Sequence, residues 1–235
     1  MKDRVVVITS GGLDSTVLCH YADTLYDELH LLSVDYGQRH KKELRYAVKT
    51  AERLNTHYDV VDLKGVTKLL QGSALTDDVD VPQGHYSAES MRLTVVPNRN
   101  MIMLSVAIAH AVSQGAKAVL AGMHAGDHPI YPDCRPEFIK ELNDAAVSGN
   151  LGFAYEGFNL LAPFVNSTKS DIVQLGADLD VPFAETWSCY EGGTVHCGRC
   201  GTCVERAEAF HLAGVTDPTK YEDPDFWKLT TGRVR

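Results

Sequence analysis

Cys189, Cys197, Cys200 and Cys203 gather four of the six cysteines of a 235-residue chain into one short segment. Four thiolates are the ligand number of a closed tetrahedral zinc site. The two-residue gaps between the last three let a tight turn bring sulfurs to one centre, with Gly198 and Gly201 supplying the freedom such turns need. In a reducing compartment this spacing favours metal over disulfides. An iron–sulfur cluster is the main competitor, since C-x2-C-x2-C opens the bacterial ferredoxin run; that run continues x3-C-P, whereas Val204-Glu205-Arg206 follows Cys203 with no further cysteine. Unligated thiols are the bland reading. The expectation is one Zn2+ per chain, structural because four sulfurs leave no open coordination position.

A second constellation is Ser10-Gly11-Gly12-Leu13-Asp14-Ser15, between a β-branched run, Arg4 to Thr9, and a helical stretch reaching about Leu25. Two glycines allow a tight turn and a close backbone approach, so successive N–H groups and the helix dipole offer an anion site. Ser10 and Ser15 add hydroxyl donors, and Asp14 can cap the helix or hold Mg2+ through water. A Gly-Gly turn with an N-cap is the plainer alternative. Neither a Walker A sequence nor G-x-G-x-x-G is present.

Three further segments carry candidate ligand groups: Asp35 to His40, Val96 to Asn100, and Tyr131 to Phe138. Each follows a predicted strand or opens a predicted helix, where open α/β sheets place their ligands. Arg39, Arg99 and Arg135 can clamp a phosphate or carboxylate through paired hydrogen bonds, although a loop arginine is as readily a surface charge. Cys134 has no neighbouring histidine and reads as an inert buried thiol, and Cys19 as a core residue.

The elements that must position these groups alternate. Strands are predicted at Arg4 to Thr9, Leu29 to Val34, Tyr58 to Leu63, Ala118 to Ala121 and Asn159 to Ala162. Helices are predicted from Asp14/Ser15 to Leu25, Lys41 to Leu54, Asn98 to Gln114, Arg135 to Val147, Ser167 to Leu179 and Cys203 to Ala213. This pattern predicts an α/β fold, a doubly wound parallel sheet with right-handed crossovers, over residues 1–185, and a small C-terminal zinc-binding helical appendage over 186–235. The polar stretch Gly72 to Val96 is long enough to be a working or mobile loop. Residues 216–235 read as a surface-hugging tail.

Composition narrows the classes. With 44% hydrophobic and 23% charged residues the chain reads as a packed domain rather than a disordered one. Net charge −9 disfavours a nucleic-acid partner. The longest apolar run, Met101 to Val112, is broken by Ser105 and His110, and Val5 to Ile8 is too short for a signal peptide, so a membrane role is excluded and a cytoplasmic protein is expected.

Ser10 to Ser15 resembles the S-G-G-x-D-S signature of the PP-loop ATP pyrophosphatases, a superfamily with an adenine nucleotide alpha-hydrolase-like fold. That loop, with Asp35 to His40, Val96-Pro97 and Arg99-Asn100, Tyr131 to Phe138, and Ser188-Cys189-Tyr190 through Cys203 and Arg206, is similar to the successive motifs of the 7-cyano-7-deazaguanine synthase family. One departure is Gly126-Asp127-His128-Pro129-Ile130, where Asp-Tyr-Ser-Gly is expected; it bears on which pyrrolopyrimidine is accepted. The resemblance implies an ATP-dependent carbon–nitrogen ligase of queuosine biosynthesis. It would convert 7-carboxy-7-deazaguanine and ammonia to 7-cyano-7-deazaguanine (preQ0) by adenylating the carboxylate and then the amide.

It further implies that Ser10, Asp14 and Ser15 serve catalysis, and that Ile8, Thr9, Ser10, Gly11, Gly12, Leu13, Asp14, Ser15, Thr16, Val17 and Leu18 form the ATP-binding unit with Mg2+ near Asp14. Arg39, Arg99, Asp133 and Arg135 would orient the deazapurine acid. Partners would be small molecules, with a homodimer allowed for and no direct nucleic acid. Two other classes stay open: a thiolase-like tRNA-modifying PP-loop enzyme, which should show a basic face and a catalytic cysteine pair, and a non-enzymatic ATP-binding sensor.

Overall fold

A computed structural model describes residues 3–38 and 41–230. Five strands, β1 (Arg4–Ile8), β2 (Glu28–Asp35), β3 (His57–Asp62), β4 (Ala118–Leu120) and β5 (Asn159–Leu161), form one sheet in the order β3-β2-β1-β4-β5. Every pairing is parallel, with Val5 opposite both Leu29 and Ala118. The longer helices are α1 (Leu13–Asp23), α2 (Lys42–Arg53), α4 (Arg99–Ser113), α5 (Pro136–Gly149), α6 (Lys169–Asp178) and α7 (Gly201–Ala213). Two short ones, α3 (Lys64–Thr67) and α8 (Phe226–Thr230), complete the set.

The apolar strands are explained by burial on both faces. Val5, Val7, Leu31 and Leu120 pack with Leu13, Val17 and Leu18 of α1, Ile172 of α6 and Phe210 of α7. Val6, Leu32, Val119 and Leu160 point the other way, onto Leu104 and Ile108 of α4 and Ile139 of α5. This is the doubly wound arrangement expected. The edge strand β3 differs: four of its six residues are exposed, Asp59 and Asp62 among them, and charge there discourages edge-to-edge pairing.

Three local expectations are corrected. α1 is capped by Gly12 without a side-chain bond, and Asp14 sits inside its first turn rather than capping it. α6 opens on a capping box in which Thr168 Oγ1 accepts from Asp171 N–H and Asp171 Oδ2 accepts from Thr168 N–H, so Thr168, not Ser167, starts it. α7 begins at Gly201, two residues before the predicted start.

The segment 72–96 is ordered against the cysteine region: Gly84 N–H donates to Arg199 O at 3.0 Å, and Gln83 forms an isolated bridge with Cys200. Its Ala74, Leu75, Tyr86 and Met91 are buried. The fully buried Arg206 of α7 ties the C-terminal region together, donating to Thr186 Oγ1 (2.7 Å), Phe183 O (3.1 Å) and the Asp217 carboxylate (3.3 Å). Among the described residues no helix is long and apolar enough to cross a membrane.

Candidate active site

The strand order reverses between β1 and β4, the point at which open α/β sheets form a crevice beyond their carboxyl ends. A cavity of ≈ 270 Å³ lies there, lined by Ile8, Ser10, Gly12, Leu13, Asp14 and Ser15 from the β1–α1 turn. Gly11, with φ +81°, lies behind the lining because the first turn of α2 presses on it: a Cβ at this position would stand 2.2 Å from Glu43 O and 2.6 Å from Ala47 N. Only glycine fits. Thr9, Thr16, Val17 and Leu18 are buried beneath the turn, as the packing role requires.

The loop hydroxyls hold the turn's backbone. Ser15 Oγ accepts from Ser10 N–H and donates to Gly12 O, both at 3.2 Å, while Ser10 Oγ accepts from Gly12 N–H at 3.2 Å. Trp187 N–H donates to Gly11 O at 2.9 Å, fastening the cysteine-bearing segment to the loop.

Behind Asp14 lies a buried ionic cluster that the sequence did not announce. Lys169 Nζ donates to Asp14 Oδ2 at 2.9 Å and to Glu205 Oε2 at 2.8 Å. His124 Nδ1 accepts from Gly126 N–H at 3.1 Å, which places its Nε2 toward Glu205 Oε1 and Asp127 Oδ1, each at 3.7 Å. Asp127 is fixed by Tyr86 O–H and by His124 N–H, both at 3.0 Å. Burial works to raise the Asp14 pKa, but Lys169 and His124 outweigh it and hold the carboxylate below its ordinary range. Burial raises Glu205 against the opposing pull of Lys169. Burial also opposes the charge on Lys169, yet Asp14, Glu205 and Asp127 together hold its pKa above the ordinary lysine value. Asp14 Oδ1 is buried with no protein partner, the kind of acceptor a bound cation completes.

The four predicted arginine and aspartate ligands part company. Arg99 lines the cavity, its guanidinium 5.7 Å from the Tyr36 ring centre. Asp133 is turned away, accepting Asn100 N–H at 3.2 Å near the start of α4, and Arg135 is exposed with Nε donating to His128 O at 3.0 Å; neither lines the cavity. Arg39 lies outside the described residues. Cys134 receives a hydrogen bond from Asn100 Nδ2 and burial pushes its thiol far up, so it is not poised as a nucleophile. Cys19 is buried and pushed up to about 12 by desolvation.

Gln38 and Tyr190, from two of the segments singled out in the sequence, line the cavity, and Glu43, His124 and Lys169 join them from outside those segments. Lys169 did leave one trace: a cation at the first position of a helix opposes the dipole and needs a counter-charge.

Cys189, Cys197, Cys200 and Cys203 are brought together, their sulfurs all within 4.8 Å of one another. The Cys197 and Cys203 sulfurs are 3.9 Å apart, close to the edge of a tetrahedron with arms of about 2.3 Å. Cys197 Sγ accepts from Arg199 N–H at 3.4 Å and Cys200 N–H at 3.3 Å, as a thiolate would. Cys189, with Trp187, Ser188 and Tyr190, also lines the cavity, so the cluster holds one of its walls. His30, Asp59 and His110 form another group with metal-capable side chains, but they already bond one another: His30 pairs with Asp59 at 2.8 Å and with His110 at 3.2 Å.

Residues 4–214 match the family described as "Queuosine biosynthesis protein QueC". The chain is 56% identical over 228 residues to the 7-cyano-7-deazaguanine synthase of Paracoccus denitrificans (strain Pd 1222), covering 96% of both proteins. It is also 56% identical over 231 residues to that of Sinorhizobium fredii (strain NBRC 101917 / NGR234), covering 97% of this chain and 96% of the other. Among solved structures, the NH3-dependent NAD synthetase from Campylobacter jejuni subsp. jejuni NCTC 11168 aligns over 99% of this chain and 84% of that one, with TM-score 0.49 and 14% identity, a likeness from which no chemistry follows. Identity of this depth over almost the full length of both partners shows that the chain belongs to the QueC family of queuosine biosynthesis proteins, whose curated relatives are 7-cyano-7-deazaguanine synthases.

Proposed function

We propose that the protein is an ATP-dependent carbon–nitrogen ligase that converts 7-carboxy-7-deazaguanine and ammonia to 7-cyano-7-deazaguanine. The observation that carries this reading is one cavity joining the Ser10–Ser15 turn, the Asp14–Lys169 pair and Arg99. A free carboxylate resists ammonia because its oxygens leave poorly and its charge repels nucleophiles. Attack of that carboxylate on the α-phosphate of ATP forms a mixed anhydride and releases pyrophosphate. Ammonia then displaces AMP to give the amide. A second attack, by the amide oxygen on another ATP, again releases pyrophosphate, and loss of AMP and a proton leaves the nitrile.

In this scheme the Gly12 to Ser15 backbone and the first turn of α1 bind the departing pyrophosphate, and Ser10 and Ser15 exchange their internal bonds for phosphate oxygens. Asp14 would hold Mg2+ through its buried Oδ1, which has no protein partner. The ion supplies charge neutralisation on the polyphosphate. Lys169, between Asp14 and Glu205, fixes Asp14 through Oδ2 and so keeps Oδ1 directed away from the ion pair. Both activations use one turn.

The four-sulfur cluster fits a single Zn2+ better than an iron–sulfur cube, which would hold its thiolates farther apart than 4.8 Å. Residues 186–235 then act as the zinc-held wall of a cavity whose nucleotide side belongs to residues 1–185. The substrates are small molecules, in keeping with the −9 charge.

ATP–pyrophosphate exchange with the purified chain tests the reading. Exchange that depends on 7-carboxy-7-deazaguanine, with a nitrile product by mass, is expected; Asp14→Ala should abolish it while leaving the cysteine-bound metal in place. Exchange without the acid, or full activity in that variant, refutes the assignment.

A further inference from the structure

We infer that Glu43 is the specificity-determining residue that reads the N1–H and 2-amino edge of the deazaguanine ring. The inference rests on the cavity being the deazaguanine site. It starts from the rigidity of the side chain's base. Glu43 occupies the first turn of α2, and a Cβ on Gly11 would stand 2.2 Å from its carbonyl oxygen, so α2 packs directly against the phosphate turn. A side chain rooted there keeps a fixed distance from the phosphate turn, which is what a group selecting one end of a substrate requires.

Its polar surroundings are incomplete in a directed way. Tyr36 N–H donates to Gln38 Oε1 at 3.0 Å, which orients the Gln38 amide so that its NH2 faces Glu43. That NH2 reaches Glu43 Oε1 only at 3.4 Å, a long bond to one of two oxygens. A carboxylate offers about four acceptor sites. Glu43 lines the cavity together with Arg99, Tyr36 and Gln38, so a ligand there can reach the remaining sites. Burial pushes the group up to about 7, with Gln38 and Arg99 pulling the other way, as befits a carboxyl awaiting donors.

The chemistry of the missing donors can be specified. A guanine-type lactam presents N1–H and the 2-amino group side by side, two donors spaced like the two oxygens of a carboxylate, and a charged acceptor pair binds them as a fork. Adenine presents an acceptor, N1, at the same edge and would be repelled. Glu43 therefore suits the deazaguanine and not the base of the nucleotide. Aromatic side chains at Tyr36, Tyr190 and Trp187 supply flat surfaces around the same space.

Titration of the full-length chain with 7-cyano-7-deazaguanine and with its analogue lacking the 2-amino group tests this. The wild type should prefer the amino compound by about 10- to 150-fold, the range of a hydrogen bond to a charged group. Glu43→Gln offers one acceptor where two are needed; it should weaken the amino compound by a similar factor, the analogue far less, and reduce the preference to within about threefold. Should that variant fail to fold, as judged by its circular dichroism, Glu43→Ala carries the same expectation. A wild type that does not distinguish the two ligands, or variants that keep the full preference, overturn the inference while leaving the proposed reaction intact. Failure of the wild type to bind either compound overturns the deazaguanine reading of the cavity, and this inference with it.

Discussion

Replacing Lys169 by Met gives a test whose size and sign follow from the buried cluster. The side chains of Lys169, Asp14 and Glu205 are 11%, 22% and 12% exposed, and one ammonium joins both carboxylates at 2.9 and 2.8 Å. Met keeps most of the volume and removes the cation. Two carboxylates then share a low-dielectric space with Asp127 and no lysine, and breaking a buried pair from one side costs about 3–5 kcal/mol.

The pH dependence separates this from lost packing. In the wild type Asp14 has a lowered folded pKa, so its stabilisation is present above the unfolded carboxylate value of about 4 and fades as pH falls through the lowered value. Lys169 has a raised one, so its contribution is present below the ordinary lysine value of about 10.4 and fades only as pH rises through the folded value. In the variant both carboxylates move above about 4, and each proton taken up on acidification restores up to about 1.4 kcal/mol per pH unit. Urea unfolding of both proteins from pH 8 to pH 5 should show the deficit largest at pH 8 and shrinking toward pH 5. A deficit that is below about 1 kcal/mol, or that stays constant across this window, would refute the electrostatic account.

Gly11→Ala forces a left-handed backbone on alanine, at about 1–2 kcal/mol, and drives its Cβ into Glu43 O, so its melting temperature should fall well below that of Gly12→Ala, whose Cβ meets nothing closer than 3.1 Å; equal melting temperatures would contradict the geometry. Cys203→Ser should lower the metal content, expected at one Zn2+ per chain, and change the fluorescence of Trp187, which lies two residues before Cys189 and packs 4.2 Å from the His196 ring; metal loss with unchanged emission would uncouple the cluster from the cavity. Arg206→Met removes the cation bonded to Asp217, leaving that part-buried carboxylate with Tyr221 O–H and Thr219 N–H, and should cost about 3–5 kcal/mol in urea titration, with Arg206→Lys a poor rescue because one ammonium cannot reach Asp217, Thr186 Oγ1 and Phe183 O together.

The features legible in sequence were those written in consecutive residues. The turn at Ser10 to Ser15 and the cysteine cluster each declare their geometry through local spacing, and the central strands β1 and β4 declare themselves because burial on both faces demands an unbroken apolar run. Lys169 and Asp14 lie 155 positions apart, and Lys169 and Glu205 lie 36 apart, so only the completed sheet brings them together. Glu43 and Glu205 sit in helices, where a glutamate is usually solvated. Asp133 and Arg135 were sought at the correct end of the sheet, but backbone groups nearby, Asn100 N–H and His128 O, claim their side chains. Asp14 has the chemistry of a helix cap, but the buried Lys169 ammonium is the stronger partner. α3 and α8, of four and five residues, are too short to show a helical period.

The position of β1 has a consequence for how the chain is made. Of the five strands of this sheet it is the earliest in the chain, and it is the middle one of the finished sheet, with β2 on one side and β4, beginning at Ala118, on the other. Until more than a hundred further residues have emerged, one edge of Val5–Val6–Val7 has no native partner. One of its faces waits longer still, because Ala209 and Phe210 of α7 close that half of the core. A strand whose edge and one face both stay open until distant residues arrive is the kind of surface that invites mispairing, and the docking of α7 is what finally closes it.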